Sequence, residues 1–223
     1  MSTLSKTDIL KEIKHRHLVF TPSLDEYQIQ PNSVDLRLGT TFYVSKAWEY
    51  NDKGRTALTS DYLDYENKKE NFKLLNLKPG QYFEILPSEF VIASTYEKID
   101  ISSDSLMAVM YARSTIIRRG LIIESGIIDV GYSGHLMIPI VNNTNGQIIR
   151  LYPGERICQL VIHTLSATVS REEAGKHGVA GAKYERSTPY SLESRSDAAE
   201  EIRLIREGKL GELKEKYGTF KTL

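Results

Sequence analysis

Residues 134 to 164 read GHLMIPIVNNTNGQIIRLYPGERICQLVIHT. Gly134–Val141 and Gln159–Thr164 are apolar runs rich in Ile and Val, with a shorter run at Gln147–Leu151 between them. Asn142 to Gly146 separates the first two as a hairpin loop. Pro153-Gly154 sets a turn just ahead of the last strand. The same pattern continues upstream from residue 33, with strands expected at Ser33–Leu38, Thr41–Val44, Gln81–Leu86, Phe90–Ser94, Leu106–Tyr111 and Gly120–Ile123. Pro79-Gly80 marks one more strand entrance. Many short β-rich segments at roughly regular spacing predict a mainly β protein, a barrel or sandwich of jelly-roll type.

Helices flank the barrel. Ser5 with Asp8 forms a capping-box pattern, and Ile9, Leu10 and Ile13 give a helical stripe, so residues 5–18 are expected as a helix ended by Thr21-Pro22. Residues 49–73 are polar and without periodicity, an excursion from the barrel. Residues 171–196 carry few large apolar side chains and read as a mobile arm. Residues 197–217 return to helical spacing through Ala198, Ile202, Leu204, Ile205 and Leu210. The expected organisation is a barrel with its N-terminal helix over 1–170, the arm over 171–196 and a helical tail over 197–223.

Composition excludes several classes. The chain has 223 residues, with 29 Lys plus Arg against 29 Asp plus Glu. Zero net charge argues against sequence-blind nucleic-acid binding, which needs a basic surface. A local cationic cluster for one small anion remains compatible with it. No apolar run is long enough to span a membrane, and the first residues lack a signal-peptide core. With a single cysteine, Cys158, there is no disulfide framework and no cysteine zinc cage. A cytoplasmic address is the expectation.

Three segments carry candidate chemistry. Arg113-Ser114-Thr115-Ile116-Ile117-Arg118-Arg119-Gly120 follows a strand with three guanidinium groups and two hydroxyls. Guanidinium forks and hydroxyls suit a polyphosphate. Arg113 and Arg118 would share one ligand only if the chain bends between them; an ordinary basic patch is the other reading. Gly126-Ile127-Ile128-Asp129-Val130-Gly131-Tyr132-Ser133-Gly134 is a glycine-rich hairpin that brings backbone close to a ligand. Asp129 there could hold and deprotonate a water, and Tyr132 could offer a ring face to a sugar or base; both could equally be turn and packing residues. Gln159, just inside the strand after Pro153-Gly154, could donate to a phosphate. The five histidines form no metal-ligand set, and Cys158 reads as an inert buried thiol.

Together these segments resemble the trimeric dUTPase and dCTP deaminase superfamily, in order and in spacing. Gln30-Pro31-Asn32-Ser33-Val34-Asp35-Leu36-Arg37-Leu38-Gly39 is similar to its first motif in the deaminase form, and Ala182-Lys183-Tyr184 to the deaminase-type C-terminal arm. The resemblance covers roughly residues 5 to 195. It implies a homotrimer of distorted jelly-roll barrels, with sites between subunits that bind a deoxynucleoside triphosphate with Mg2+. On that resemblance Asp129 activates the attacking water and Tyr132 packs on the deoxyribose. Gly126 and Ile128 with neighbouring backbone read the pyrimidine. Arg113, Ser114, Arg118 and Gln159 hold phosphates, and Lys183 and Tyr184 close over them. No metal ligand is direct; Asp35 is given a water-mediated role near the ion.

One departure steers the functional expectation. Deaminases of this superfamily carry a proton-shuttling Glu five residues past the last glycine of the Asp–Gly motif, and here that position is Pro139. Glu124 is the nearest carboxylate in sequence but has no matching role. Proline cannot transfer protons, so the expected activity is dUTP diphosphatase, giving dUMP and pyrophosphate. A dCTP deaminase, alone or bifunctional, using a carboxylate from elsewhere is the alternative, and a non-catalytic regulator binding dUTP or dTTP the third. Proline also costs the strand a ladder hydrogen bond, which predicts a sheet edge or a bulge at this position. The stacking aromatic of the arm is Tyr184 or Tyr190.

Overall fold

The computed structural model describes residues 2–61, 63, 71–177, 180–181, 187–190 and 197–218. Its described residues fall into two compact units, one drawn from Met1–Ser45 and Phe72–Leu192 and the other from Lys46–Asn71 and Glu193–Leu223. In chain order the first unit begins with β1 (Ser2–Thr3), α1 (Lys6–Lys14), β2 (Leu18–Thr21) and β3 (Val34–Ser45). The second contributes β4 (Trp48–Asn51) and β5 (Gly54–Ala57). The first resumes with β6 (Phe72–Asn76), β7 (Phe83–Ile85), β8 (Phe90–Ile101), β9 (Leu106–Ala112), α2 (Ser114–Ile117), β10 (Leu121–Ile123), β11 (Gly126–Ile128) and β12 (Ser133–Asn142). It continues with β13 (Ile149–Leu151), β14 (Arg156–Thr164), α3 (Arg171–Ala174), β15 (Lys176–His177) and β16 (Ala180–Gly181). The chain then gives α4 (Ala199–Arg206) and α5 (Leu210–Tyr217) to the second unit.

The first unit is built on an antiparallel sheet of order β10-β12-β8-β3-β14-β9-β11, with β1 on β14, β2 on β8 and β6 on β3. The end strands of that path, β10 and β11, are consecutive in sequence, with only Glu124 and Ser125 between them. Consecutive Cα atoms are 3.80 Å apart, so this link reaches about 11 Å at most. The sheet therefore curls until its two ends adjoin, the barrel that the strand pattern predicts. Glu124 and Ser125 lie at the seam.

The bend in β3 has an identifiable cause. Its first half pairs with β14, and its second half with β8 and β6. The register against β8 shifts between Leu38 and Phe42. Gly39 sits at the shift, where a Cβ would lie 2.6 Å from Ser94 Oγ and 2.9 Å from the Ser94 carbonyl oxygen. Only glycine lets the two strands approach this closely.

Alternation fills the interior. β12 buries every second residue, Gly134, Leu136, Ile138, Ile140 and Asn142. Phe42 is fully buried and stacks on Phe83 with ring centroids 4.5 Å apart and 6° between planes. Removing a buried aromatic costs its transfer energy plus a cavity. Phe42→Ala is expected to destabilise the chain by about 3–5 kcal/mol, read as a lower urea midpoint in circular dichroism.

The expected elements are largely present, with instructive differences. Ser5 caps α1 and Asp8 completes the box, but the helix stops at Lys14 because Leu18 to Thr21 pair with β8. The strands expected at Ser33–Leu38 and Thr41–Val44 are one continuous β3. The polar stretch after residue 48 contains a β4–β5 hairpin. The tail helix is two helices, broken at Gly208, whose φ of +71° ends α4.

Candidate active site

The chain bends at Arg113 as phosphate sharing requires. Arg113 has extended backbone at the N-cap of α2, and Arg118 closes the same one-turn helix. Ser114 and Arg118 are exposed there, and Arg118 makes no ion pair with any described residue. Arg119, the third guanidinium of the run, is committed elsewhere. It binds the Glu155 carboxylate and the Arg150 carbonyl, and so ties α2 to the β13–β14 turn.

Asp35 organises the cationic face from beneath. It is 1% exposed. Its Oδ2 receives Arg113 Nε at 2.9 Å and Arg156 Nη1 at 3.1 Å, with Gln30 Nε2 at 3.4 Å. Arg113 Nη1 also donates to the Arg156 carbonyl at 3.0 Å. Burial pushes the Asp35 carboxyl above the ordinary aspartate range, and the two guanidinia oppose it. In β14 Gln159 lies opposite Asp35 on one side and Tyr111 on the other, so the three share a face. With both guanidinia on Asp35, its carboxylate is placed to anchor arginines. Among the described residues no three His, Cys, Asp or Glu side chains converge as a metal-binding set. The described residues therefore assemble no direct ligand set for magnesium.

The glycine-rich stretch is not the expected hairpin: β11 pairs with β9 and β12 with β10 and β8, so Asp129 to Tyr132 link two strands that are not partners. β11 pairs with β9, Gly126 opposite Met110 and Ile128 opposite Ala108. Asp129 follows, exposed, in a turn closed by the Tyr132 N–H donating to the Asp129 carbonyl at 3.2 Å. Tyr132 packs its ring against the core and donates its hydroxyl to the His135 carbonyl at 2.9 Å. Burial pushes its phenol up to about 12. The two groups of candidate residues are not all brought together within one chain. Gly126 pairs three residues from Arg113 along β9, about 10 Å, whereas Asp129 lies beyond Ala108, about 20 Å from Arg113 at 3.4 Å per residue.

Lys183 and Tyr184 lie outside the described residues. The nearby Ser187 to Tyr190 segment is described, and it docks on the barrel. Ser187 accepts the His135 N–H at 2.8 Å, and Pro189 accepts the Tyr43 hydroxyl at 3.1 Å. Gly134 permits this contact, since a Cβ there would sit 2.8 Å from the Ser187 backbone.

Position 139 meets the expected edge only locally, and without a bulge. β12 lies between β10 and β8, but β10 ends at Ile123 opposite Ile140, and the irregularity of β12 falls between His135 and Met137. The Pro139 carbonyl accepts the Glu124 N–H at 3.3 Å. A residue's N and C=O point the same way in a strand, so the missing donor faces β10, and β10 ends there. A ladder bond that stops beside proline is tolerated without a bulge.

Sequence reasoning also passed over a buried carboxylate, Glu97, 1% exposed. Its oxygens accept from Gln28 Nε2 at 2.7 Å and the Arg37 N–H at 2.9 Å, and burial raises its pKa. Both oxygens are engaged, one tying β8 to Arg37 of β3 and the other holding Gln28 in the segment before β3. No local motif marks Glu97, because its partners come from distant parts of the chain.

Comparison with known proteins defines the class. Residues 3–165 match the family model described as dCTP deaminase-like. The chain belongs to that family. A dCTP deaminase, dUMP-forming, from Methanosphaera stadtmanae is 34% identical over 172 residues, 75% of this chain and 81% of that protein. Its namesake in Dictyoglomus turgidum is 35% identical over 186 residues, 81% of this chain and 88% of the other. That in Methanobrevibacter smithii is 33% identical over 171 residues, 74% and 82% of the two chains. The crystal structure of 2'-deoxycytidine 5'-triphosphate deaminase from Agrobacterium tumefaciens shares the fold, with a TM-score of 0.55 and 23% identity over 77% of this chain and 50% of that one. These relatives overturn the expectation of a plain dUTP diphosphatase. The expectation treated the proton-transferring group as belonging to one strand position, but in a barrel a carboxylate on a neighbouring strand can face the same space.

Proposed function

We propose that this protein is a dCTP deaminase of the dUMP-forming kind. Water replaces the amino group at cytosine C4, and a second water cleaves the α–β phosphoanhydride, so dCTP yields ammonia, dUMP and pyrophosphate. The observation that carries this reading is the kinship at 33–35% identity with dCTP deaminases, dUMP-forming, over about three quarters or more of the chain.

The geometry supports a division of labour. Ser114 and Arg118 on α2, with Arg113 held in place by Asp35, present donors to a triphosphate. Gln159 lies on the face of Asp35 and adds an amide donor. Asp129, exposed at the turn after β11, is the base for the water that attacks phosphorus. Gly126 and Ile128 offer backbone groups to the pyrimidine, Tyr132 stiffens the turn that carries Asp129, and Lys183 and Tyr184 belong to the covering arm. The separation of about 20 Å along β9 between Asp129 and Arg113 favours a site completed between copies of the chain, as in a homotrimer. Magnesium, when it accompanies the triphosphate, supplies charge neutralisation from the phosphate oxygens.

The test is a product assay. Purified protein with dCTP and magnesium is expected to release ammonia and pyrophosphate and to accumulate dUMP. Failure to release ammonia from dCTP, with pyrophosphate still formed from dUTP, overturns the reading.

A further inference from the structure

We propose that Glu124 is the proton-transferring carboxylate for deamination, taking from the neighbouring strand the work that Pro139 cannot do. This rests on the deaminase reading above. Such chemistry needs a general acid–base within reach of C4. Glu97 is closed to substrate by its engaged oxygens, and Asp35 by its two arginines. Glu155 is held by Arg119.

Strand register singles out Glu124. β10 and β12 pair Leu121 with Asn142, Ile122 with Val141 and Ile123 with Ile140. The next pair is Glu124 with Pro139, joined by the 3.3 Å bond from the Glu124 N–H to the Pro139 carbonyl. Ile123 and Ile140 are buried, so alternation turns Glu124 and Pro139 together to the outer face, where Glu124 is exposed. Directly opposed residues keep their Cβ atoms about 5 Å apart. A glutamate side chain on 124 therefore reaches the space in front of residue 139. No ion pair or hydrogen bond joins its carboxylate to another described residue. Two positions on, Gly126 opens the strand whose backbone faces the base in the proposed site.

Proline at 139 contributes to this placement. It has no N–H to return to the Glu124 carbonyl, so the ladder ends and residues 124–125 leave the sheet for β11. The chemistry balances with one carboxylate. Glu124 takes a proton from water as the oxygen bonds to C4, the C4=N3 electron pair moves to N3, and N3 receives that proton. Glu124 then takes the hydroxyl proton and delivers it to the amino nitrogen as the C4–N4 bond breaks and C4=O forms. Ammonia leaves, the pyrimidine keeps the proton on N3, and the carboxylate is regenerated.

The experiment follows ammonia and pyrophosphate separately in wild type, Glu124→Gln and Glu124→Gln with Pro139→Glu. Glu124→Gln is expected to lower kcat for ammonia release from dCTP by about 10²–10⁴-fold, with KM little changed and pyrophosphate release from dUTP reduced far less. The added Pro139→Glu is expected to restore part of the ammonia rate. If wild type deaminates dCTP and Glu124→Gln loses less than about a hundredfold, the assignment is overturned while the deaminase reading stands. If wild type releases no ammonia, both fall.

Discussion

Asp129→Asn is expected to cut pyrophosphate release by about 10²–10⁴-fold, the usual worth of a positioned general base, or about 3–5 kcal/mol of barrier. The substitution is nearly isosteric and keeps a side chain able to hydrogen-bond a water, but its amide cannot accept the proton. Asp129 is exposed at the turn after β11, and its carbonyl accepts the Tyr132 N–H that closes that turn. The variant should therefore fold and bind nucleotide as wild type does. Deamination and hydrolysis use different carboxylates in the proposed scheme, so Asp129→Asn given dCTP should accumulate dUTP in place of dUMP. Chromatography of the nucleotide products over time measures this directly. Pyrophosphate release within tenfold of wild type would remove Asp129 from the hydrolytic step.

The barrel was legible in the sequence because its strands are short apolar runs between turn signals, with Leu136, Ile138 and Ile140 buried at alternate positions of β12. The capping box of α1 was legible because both partners lie within four residues. What escaped was non-local. The β4–β5 hairpin is mostly exposed, so no apolar alternation announces it. Arg119 reads like its neighbours in the basic run, but Glu155, 36 residues on, removes it from the ligand set. Glu97 joins Gln28 across 69 residues. The functional expectation is overturned by the relatives, and the neighbour of Pro139 is likewise a non-local feature. Pro139 was judged along its own strand, where the nearest acid looked unrelated, and only the register of β10 against β12 shows Glu124 beside it. The clustering of Arg113, Ser114 and Arg118 was legible because one strand end and a one-turn helix keep them together in sequence.

Asp35→Ala is expected to destabilise the first unit by about 2–4 kcal/mol, somewhat below the 3–5 kcal/mol of a fully buried broken pair. The discount follows from geometry. The Asp35 side chain is 2% exposed, but Arg113 and Arg156 retain 21% and 29% exposure and recover some hydration when the carboxylate is lost. Both guanidinia bond the same oxygen, Oδ2, at 2.9 and 3.1 Å. An asparagine turned to place its carbonyl oxygen there keeps both bonds and loses only the charge. Asp35→Asn should therefore cost less stability than Asp35→Ala, and the gap between them separates geometry from charge. The two variants should diverge in binding as well, because Arg113 enters α2 on the same backbone that carries Ser114 and Arg118. With its Nε partner gone, Arg113 loses orientation, and KM for the triphosphate should rise more in the alanine variant. Urea midpoints and KM values measured together decide the matter. An unchanged urea midpoint in Asp35→Ala would show that the buried carboxylate does not hold the cationic face in place.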